Sequence, residues 1–198
     1  MHEAFACLTA ATWAVGYLLY LVALASRATT PSLGFWATIV VVDDVLLVSQ
    51  VRAGVTGIAL MQTVVWVVGA NLTLLATVIQ QRDALRLNLY ERICMLLSVC
   101  SIVLAATIPS AAVVIQTAGM AVGSVPMFIN AGRGNERWQP IGICLLAALL
   151  NLGALNNWSM TNWPGLLPHV VAAGLNMVST TAAVLGQRAA ARRHLGAS

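Results

Sequence analysis

The chain has 198 residues, of which 60% are hydrophobic and 8% charged, against roughly a quarter charged in a soluble domain. That balance excludes a soluble globular protein and points to an integral membrane protein. The net charge of +4 fits membrane orientation and anionic headgroups rather than nucleic acid. Every one of the 10 basic side chains is Arg. Without a lysine there is no Schiff base, which excludes a retinal protein and amine-based covalent catalysis. Cys7, Cys94, Cys100 and Cys144 lie in apolar runs with no CxxC spacing and no nearby His. They read as packing residues, and no disulfide, metal or cofactor is expected.

In chain order, Met1-His2-Glu3 lacks a basic n-region and the run from Ala4 to Ala25 is long enough to span, so the first helix reads as retained rather than as a cleaved signal. Apolar runs broken by charged or turn-forming residues then predict seven spans: 5–26, 34–51, 56–80, 93–108, 110–131, 139–157 and 163–187. The boundary after the fourth needs an argument. No charge appears from Ile93 to Ile129, and that length as one helix would be roughly 55 Å, nearly twice the hydrocarbon thickness. Pro109-Ser110, near its middle, is the natural break.

Arginine placement orients these spans. Arg27, then Arg82, Arg86 and Arg92, then Arg133 and Arg137, then Arg188, Arg192 and Arg193 fall on the C-terminal side, and Arg52 stands alone on the other. The positive-inside rule puts that C-terminal side in the cytoplasm and the N-terminus outside, in a cell or inner membrane. Trp158 and Trp163 flank the sixth loop and read as interfacial belt residues. Arg192-Arg193 reads as a juxtamembrane anchor to anionic lipid.

Polar residues inside the spans are the candidate site. Asp43 and Asp44 sit mid-way along span two, where an ionised carboxylate costs at least about 2.5 kcal/mol on insertion scales. Adjacent carboxylates raise each other's proton affinity, which suits substrate or proton binding; the alternative is an early helix end or a wet vestibule. Asn71 and Asn176, in a repeated Gly-x-Asn, offer donors and acceptors to a solute or an interhelical hydrogen bond. His169, seven residues before Asn176 and on the same helical face, can titrate near neutral pH or serve as an interfacial hydrogen-bonding residue. Asn151 corresponds to Asp43, and Trp66 lines a cavity or packs. Pro126 inside span five removes a backbone bond and allows a hinge.

The two halves repeat in parallel. Val15-Gly16 corresponds to Val122-Gly123, Pro31 to Pro140, Gly34 to Gly142, Asp43 to Asn151, and Gly69-x-Asn71 to Gly174-x-Asn176. Each unit has three helices, an odd number, so span four is needed to keep the second copy upright. The expected fold is an all-α membrane protein of seven transmembrane helices, 3+1+3: residues 1–82 the first repeat, 83–109 the linker helix, 110–198 the second repeat with a short basic tail.

This layout, with Gly123-Ser124-Val125-Pro126-Met127-Phe128-Ile129-Asn130-Ala131-Gly132-Arg133 in span five and Leu167-Pro168-His169 in span seven, resembles the SWEET sugar transporters and their PQ-loop relatives. Met127 stands where the family's motif has glutamine, and His169 where it has asparagine. The resemblance implies alternating-access transport of a small polar solute, a sugar first, by facilitated diffusion or coupled to protons through Asp43 and Asp44. The sugar-stacking tryptophans of that family would fall at Leu47 and Leu155, which brings forward an amino acid or vitamin precursor as a rival substrate. A non-transporting membrane scaffold or subunit is the reading from another class. An enzyme is not expected, because no Ser/His/Asp or metal-ligand spacing converges within the spans. Small-molecule substrate and lipid bilayer are the expected partners, nucleic acid is not, and a homo-oligomer stays open.

Overall fold

The computed structural model describes residues 2–52, 54, 57–82, 87–108, 111–154 and 163–195. They form seven helices: α1 (His2–Ala25), α2 (Leu33–Arg52), α3 (Gly57–Gln80), α4 (Leu89–Thr107), α5 (Ala112–Gly132), α6 (Trp138–Ala154) and α7 (Trp163–Leu195). Five of them, α1, α3, α4, α5 and α7, are long and apolar enough to cross a membrane. The apolar stretch of α6, Trp138–Leu152, is shorter, and α2 carries the aspartate pair. The described residues hold helices and no strand, and several of the helices are long and apolar enough to suggest a membrane protein.

The distribution of side chains explains why these helices associate at all. Leu18, Val22, Leu75, Ile79, Leu96, Val103 and Leu185 face outward, whereas Thr9, Thr38, Thr63, Thr73, Thr77, Ser98, Ala70, Ala131, Ala147 and Ala183 are buried. In lipid, apolar surface gains nothing by burial, so small residues that let backbones approach and hydroxyls that bond locally line the contacts. Thr38, Thr73 and Thr77 each donate to the carbonyl one turn back. A Cβ on Gly16 would meet the Cys144 sulfur at 2.7 Å, and one on Gly123 would meet Ser98 Oγ at 2.8 Å. Gly69 leaves room for the Tyr17 ring, while Gly174 faces open space. Of the cysteines, Cys144 packs in a helix contact, but Cys7 and Cys100 are exposed and are not core residues.

Helix contacts run α1–α3–α2–α5–α7–α6 and back to α1, a closed ring, with α4 outside it against α2 and α5. Both α1 and α5 end in the same way. Arg27 N–H donates to Leu24 O and Ala28 N–H to Ala23 O; Gly134 N–H donates to Ala131 O and Asn135 N–H to Asn130 O. Each pair is a Schellman motif whose left-handed residue is Arg27 (φ 53°) in one case and Gly134 (φ 83°) in the other.

Two boundaries differ from the sequence-based expectation for a physical reason. Helix α4 begins at Leu89 rather than 93, because the Glu91 carboxylate accepts the Asn88 N–H at 2.9 Å and closes the first turn. Helix α7 runs to Leu195, so Arg188, Arg192 and Arg193 continue a helix of 33 residues instead of forming a tail. At roughly 50 Å it outreaches the hydrocarbon layer, and arginines near its C-terminal end complement the helix dipole. Helix α5 continues through Pro126 without interruption. Pro109-Ser110, between α4 and α5, lies outside the described residues, as do Arg86, Leu155 and Trp158; the Trp163 backbone begins α7.

Candidate functional site

A cavity of about 610 Å³ occupies the centre of the ring, lined by residues from all seven helices. That volume is in the range of small-molecule sites, about 300–1,000 Å³. Its walls are unlike. The first three helices supply rings: Trp13, Tyr17 and Tyr20 from α1, Phe35 and Trp36 from α2, and Trp66 from α3. Positions 13, 17 and 20 share one face of α1 because they are four and three residues apart. The rings form one connected cluster, with Trp13–Trp66 centroids 5.8 Å apart, Tyr17–Trp36 6.2 Å and Tyr20–Trp36 5.1 Å. The last three helices supply polar groups without rings of this kind: Gln116, Thr117 and Ser124 from α5, Asn151 from α6, and His169, Asn176 and Ser179 from α7, while α2 and α3 add Asp43, Gln62 and Thr63 beside their rings.

Among the sequence-predicted residues, Asp43, Trp66, Asn151, His169 and Asn176 meet in this cavity. Asn151 Nδ2 lies 3.0 Å from His169 Nδ1. The amide and the ring therefore form one hydrogen-bonded pair, whose donor is set by the tautomer of the imidazole. Asn176 spends one N–H on Ala172 O one turn back, at 2.9 Å. Asp43 is the cavity's one carboxylate, and the only charge acting on it among the described residues is the adjacent Asp44.

Asp44 and Asn71 are not brought to the cavity. They pair with each other on the outer side of α2 and α3, Asn71 Nδ2 donating to Asp44 Oδ1 at 3.2 Å and to Val67 O at 2.9 Å. The 100° turn between successive helical residues explains the split: if Asp43 faces in, Asp44 cannot. Asn71 and Asn176, equivalent in the sequence pattern, therefore have different surroundings.

At one end the cavity wall joins, through Tyr20 and Trp36, a network that the sequence does not announce. Glu136, in the loop between α5 and α6, is 1% exposed. Its carboxylate accepts from Tyr20 Oη at 2.6 Å, Thr29 Oγ1 at 2.8 Å and Asn130 Nδ2 at 2.8 Å. Trp36 Nε1 donates to the same Tyr20 hydroxyl at 3.3 Å. Burial pushes the Glu136 carboxyl above the ordinary carboxylate range, and the hydrogen bonds from Tyr20, Thr29 and Asn130 pull it partly back. Tyr20 thus belongs to both cavity wall and network.

The network straps the loop 26–32 to its surroundings. Gln80 donates to Thr29 O at 3.0 Å and Gln81 to Pro31 O at 2.7 Å, from the end of α3. Ser32 Oγ donates to Glu91 Oε1 at 2.7 Å. Asn130 reaches Thr30 O, Thr30 N–H donates to Asn135 O, and Gln187 of α7 donates to Glu136 O. The segments that carry Arg27, Arg82, Arg92, Arg133, Arg137 and Arg188 are therefore gathered at one end of the bundle. Arg133 lies over the Tyr90 ring there, 5.9 Å from its centroid.

Glu136 escaped notice because a lone acid between Arg133 and Arg137 reads as a solvated loop charge. The readable signal was its place six residues after Asn130, in the motif region. Comparison with family models, with curated proteins and with solved structures finds no match to this chain.

Proposed function

We propose that the chain carries a small polar solute across a membrane by alternating access, with the central cavity as its binding site. The observation that carries this reading is one cavity, ringed by six helices, into which mid-helix polar residues of both halves converge. Polar side chains placed at membrane depth are costly and mark solute or ion pathways. Asp43 then binds the solute or a coupling proton, while Asn151, His169 and Asn176 orient the solute from the opposite wall.

Two parallel three-helix units joined by α4 are part of the same proposal. The contact order α1–α3–α2 is matched by α5–α7–α6, and the α1·α6 contact by α5·α2. The paired Schellman motifs of α1 and α5 support the same correspondence. This arrangement favours the SWEET and PQ-loop resemblance, and with it a sugar, an amino acid or a vitamin precursor as cargo. In such a carrier the arginine-rich end is cytoplasmic, the Glu136 network is the latch that holds that end shut, and Pro126 is the hinge of α5. Asp44 and Asn71, paired with each other, fix the register of α2 against α3.

Uptake into proteoliposomes, with labelled sugars, amino acids and amines and with or without an imposed pH gradient, tests the proposal. Saturable uptake that Asp43→Asn abolishes in a protein of unchanged thermal midpoint supports it. Dependence on the gradient adds proton coupling; indifference makes the protein a uniporter. Absence of flux for every solute would move the reading to the scaffold.

A further inference from the structure

We infer that the cavity selects a solute with a positively charged ammonium group, its charge held between the aromatic wall and Asp43. The inference deepens the proposed binding site and rests on that reading. Its first ground is the charge inventory: among the described residues the lining holds one carboxylate, Asp43, and neither lysine nor arginine. The chain has no lysine anywhere, and the arginines at 27, 82, 92, 133, 137 and 188 belong to the bundle end. His169 stands on the wall opposite the rings, with its Nδ1 3.0 Å from Asn151 Nδ2. Tyr17, Tyr20 and Cys144, the remaining titratable groups of the lining, are neutral donors or acceptors at neutral pH.

The second ground is geometric. Five aromatic contacts among Trp13, Tyr17, Tyr20, Phe35, Trp36 and Trp66, with centroids 5.0 to 6.2 Å apart, make one connected aromatic cluster that shares the cavity lining with Asp43. Asp43 is also the electrostatic neighbour of the Tyr17 phenol within that cluster. Ring faces carry negative quadrupole potential and attract ammonium groups, most strongly where water is displaced. A carboxylate away from bulk water takes up a counter-charge or a proton, and Asp43 has neither ion-pair nor hydrogen-bond partner among the described residues. A neutral sugar offers Asp43 no counter-charge; an ammonium ion does, and pairs with the carboxylate without a proton being taken up. The polar wall of Asn151, Asn176 and Ser179 then meets the uncharged, hydrogen-bonding end of the same solute.

The test compares two ligands of one shape and different charge. Choline and its neutral carbon isostere, 3,3-dimethylbutan-1-ol, are titrated calorimetrically into the full chain in lipid nanodiscs, with glucose as a third ligand. The expected result is choline binding about tenfold or more tighter than the isostere, a preference of the size cation–π and ion-pair contacts supply in a desolvated site. In Asp43→Asn the difference between choline and isostere shrinks severalfold, and in Trp66→Leu choline weakens more than the isostere does. Equal binding of choline and isostere by the wild-type chain, tighter binding of glucose, or no binding of choline overturns the inference without needing any variant. Selective choline binding with no flux of any solute would sink the transport reading and leave the ammonium site standing. Glucose uptake without choline binding would do the reverse.

Discussion

Asp43 and Glu136 are both carboxylates withdrawn from bulk water, and their surroundings are opposite. Glu136 receives a phenol, a hydroxyl and an amide N–H from three separate segments, while Asp43 faces a cavity with no partner among the described residues. A carboxylate with its lone pairs filled organises structure; one left unfilled stores an unmet interaction for a ligand or a proton.

The largest expected effect breaks the Glu136 side of this comparison. Glu136→Ala leaves the buried Tyr20 hydroxyl without its acceptor and takes one of two acceptors from the Thr29 hydroxyl and the Asn130 amide, which keep Asn135 O and Thr30 O, at a cost of about 3 kcal/mol in unfolding free energy. Glu136→Gln, which keeps one acceptor oxygen, should lose less. Asp43→Leu should do the opposite and raise the thermal midpoint, since it removes a mid-membrane carboxylate worth about 2.5 kcal/mol or more on insertion scales, while abolishing ligand binding. Chemical denaturation in detergent and calorimetric binding on the same samples check both. A destabilised Asp43→Leu would mean that Asp43 has a structural partner after all.

A pH titration sharpens the same contrast. With its carboxyl held above the ordinary range by burial, the folded protein binds more protons than the unfolded chain between the two pKa values of Glu136. Its contribution is therefore fully present below the ordinary carboxylate range, falls as pH climbs through the window, and is level above it. Each unit of separation contributes about 1.4 kcal/mol. The slope should be absent in Glu136→Gln; a slope that survives there belongs to another group.

The paired helix ends offer a second comparison of smaller size. Arg27 and Gly134 occupy the same left-handed position in two Schellman motifs, but only at Gly134 does a neighbour crowd in: a Cβ there would lie 2.9 Å from Gly186 O. Gly134→Ala should therefore cost about 1–2 kcal/mol from backbone strain and contact together. Arg27→Gly, at the strained but uncrowded end, should be neutral or stabilise slightly. Thermal midpoints measured side by side decide it, and equal losses at both positions would refute the distinction.

Much of this architecture is legible in the sequence because membrane burial imposes long apolar runs and arginine asymmetry. Spans two, three and six start within a residue of α2, α3 and α6. The aspartates, Asn151, His169 and Asn176 stand out because polar residues in apolar runs demand a reason. What stayed hidden depends on rotation and on long-range contact. The aromatic stripe at Trp13, Tyr17 and Tyr20 has helical spacing, yet it acquires meaning only once Trp36 and Trp66 arrive from other helices. Glu136 and Glu91 look like surface charges until the loop 26–32 folds over them. The equivalence of Asn71 and Asn176 in the pattern hides a helix rotation that no local rule supplies.

That rotation carries the smallest prediction. Asn71 is exposed and its amide divides between Asp44 Oδ1 and the Val67 carbonyl, so the pair contributes the modest coupling typical of interhelical polar contacts in membranes, about 0.6 kcal/mol. Asn71→Ala should lower stability by no more than about that amount and leave ligand affinity unchanged, whereas Asn176→Ala, inside the cavity, should weaken binding with little effect on stability. A double-mutant cycle of Asp44→Ala with Asn71→Ala isolates the coupling. If Asn71→Ala impaired binding as much as Asn176→Ala, the two asparagines would have to act on the same solute in another conformation of the ring, and the outward pairing would describe only one of the states through which the molecule passes.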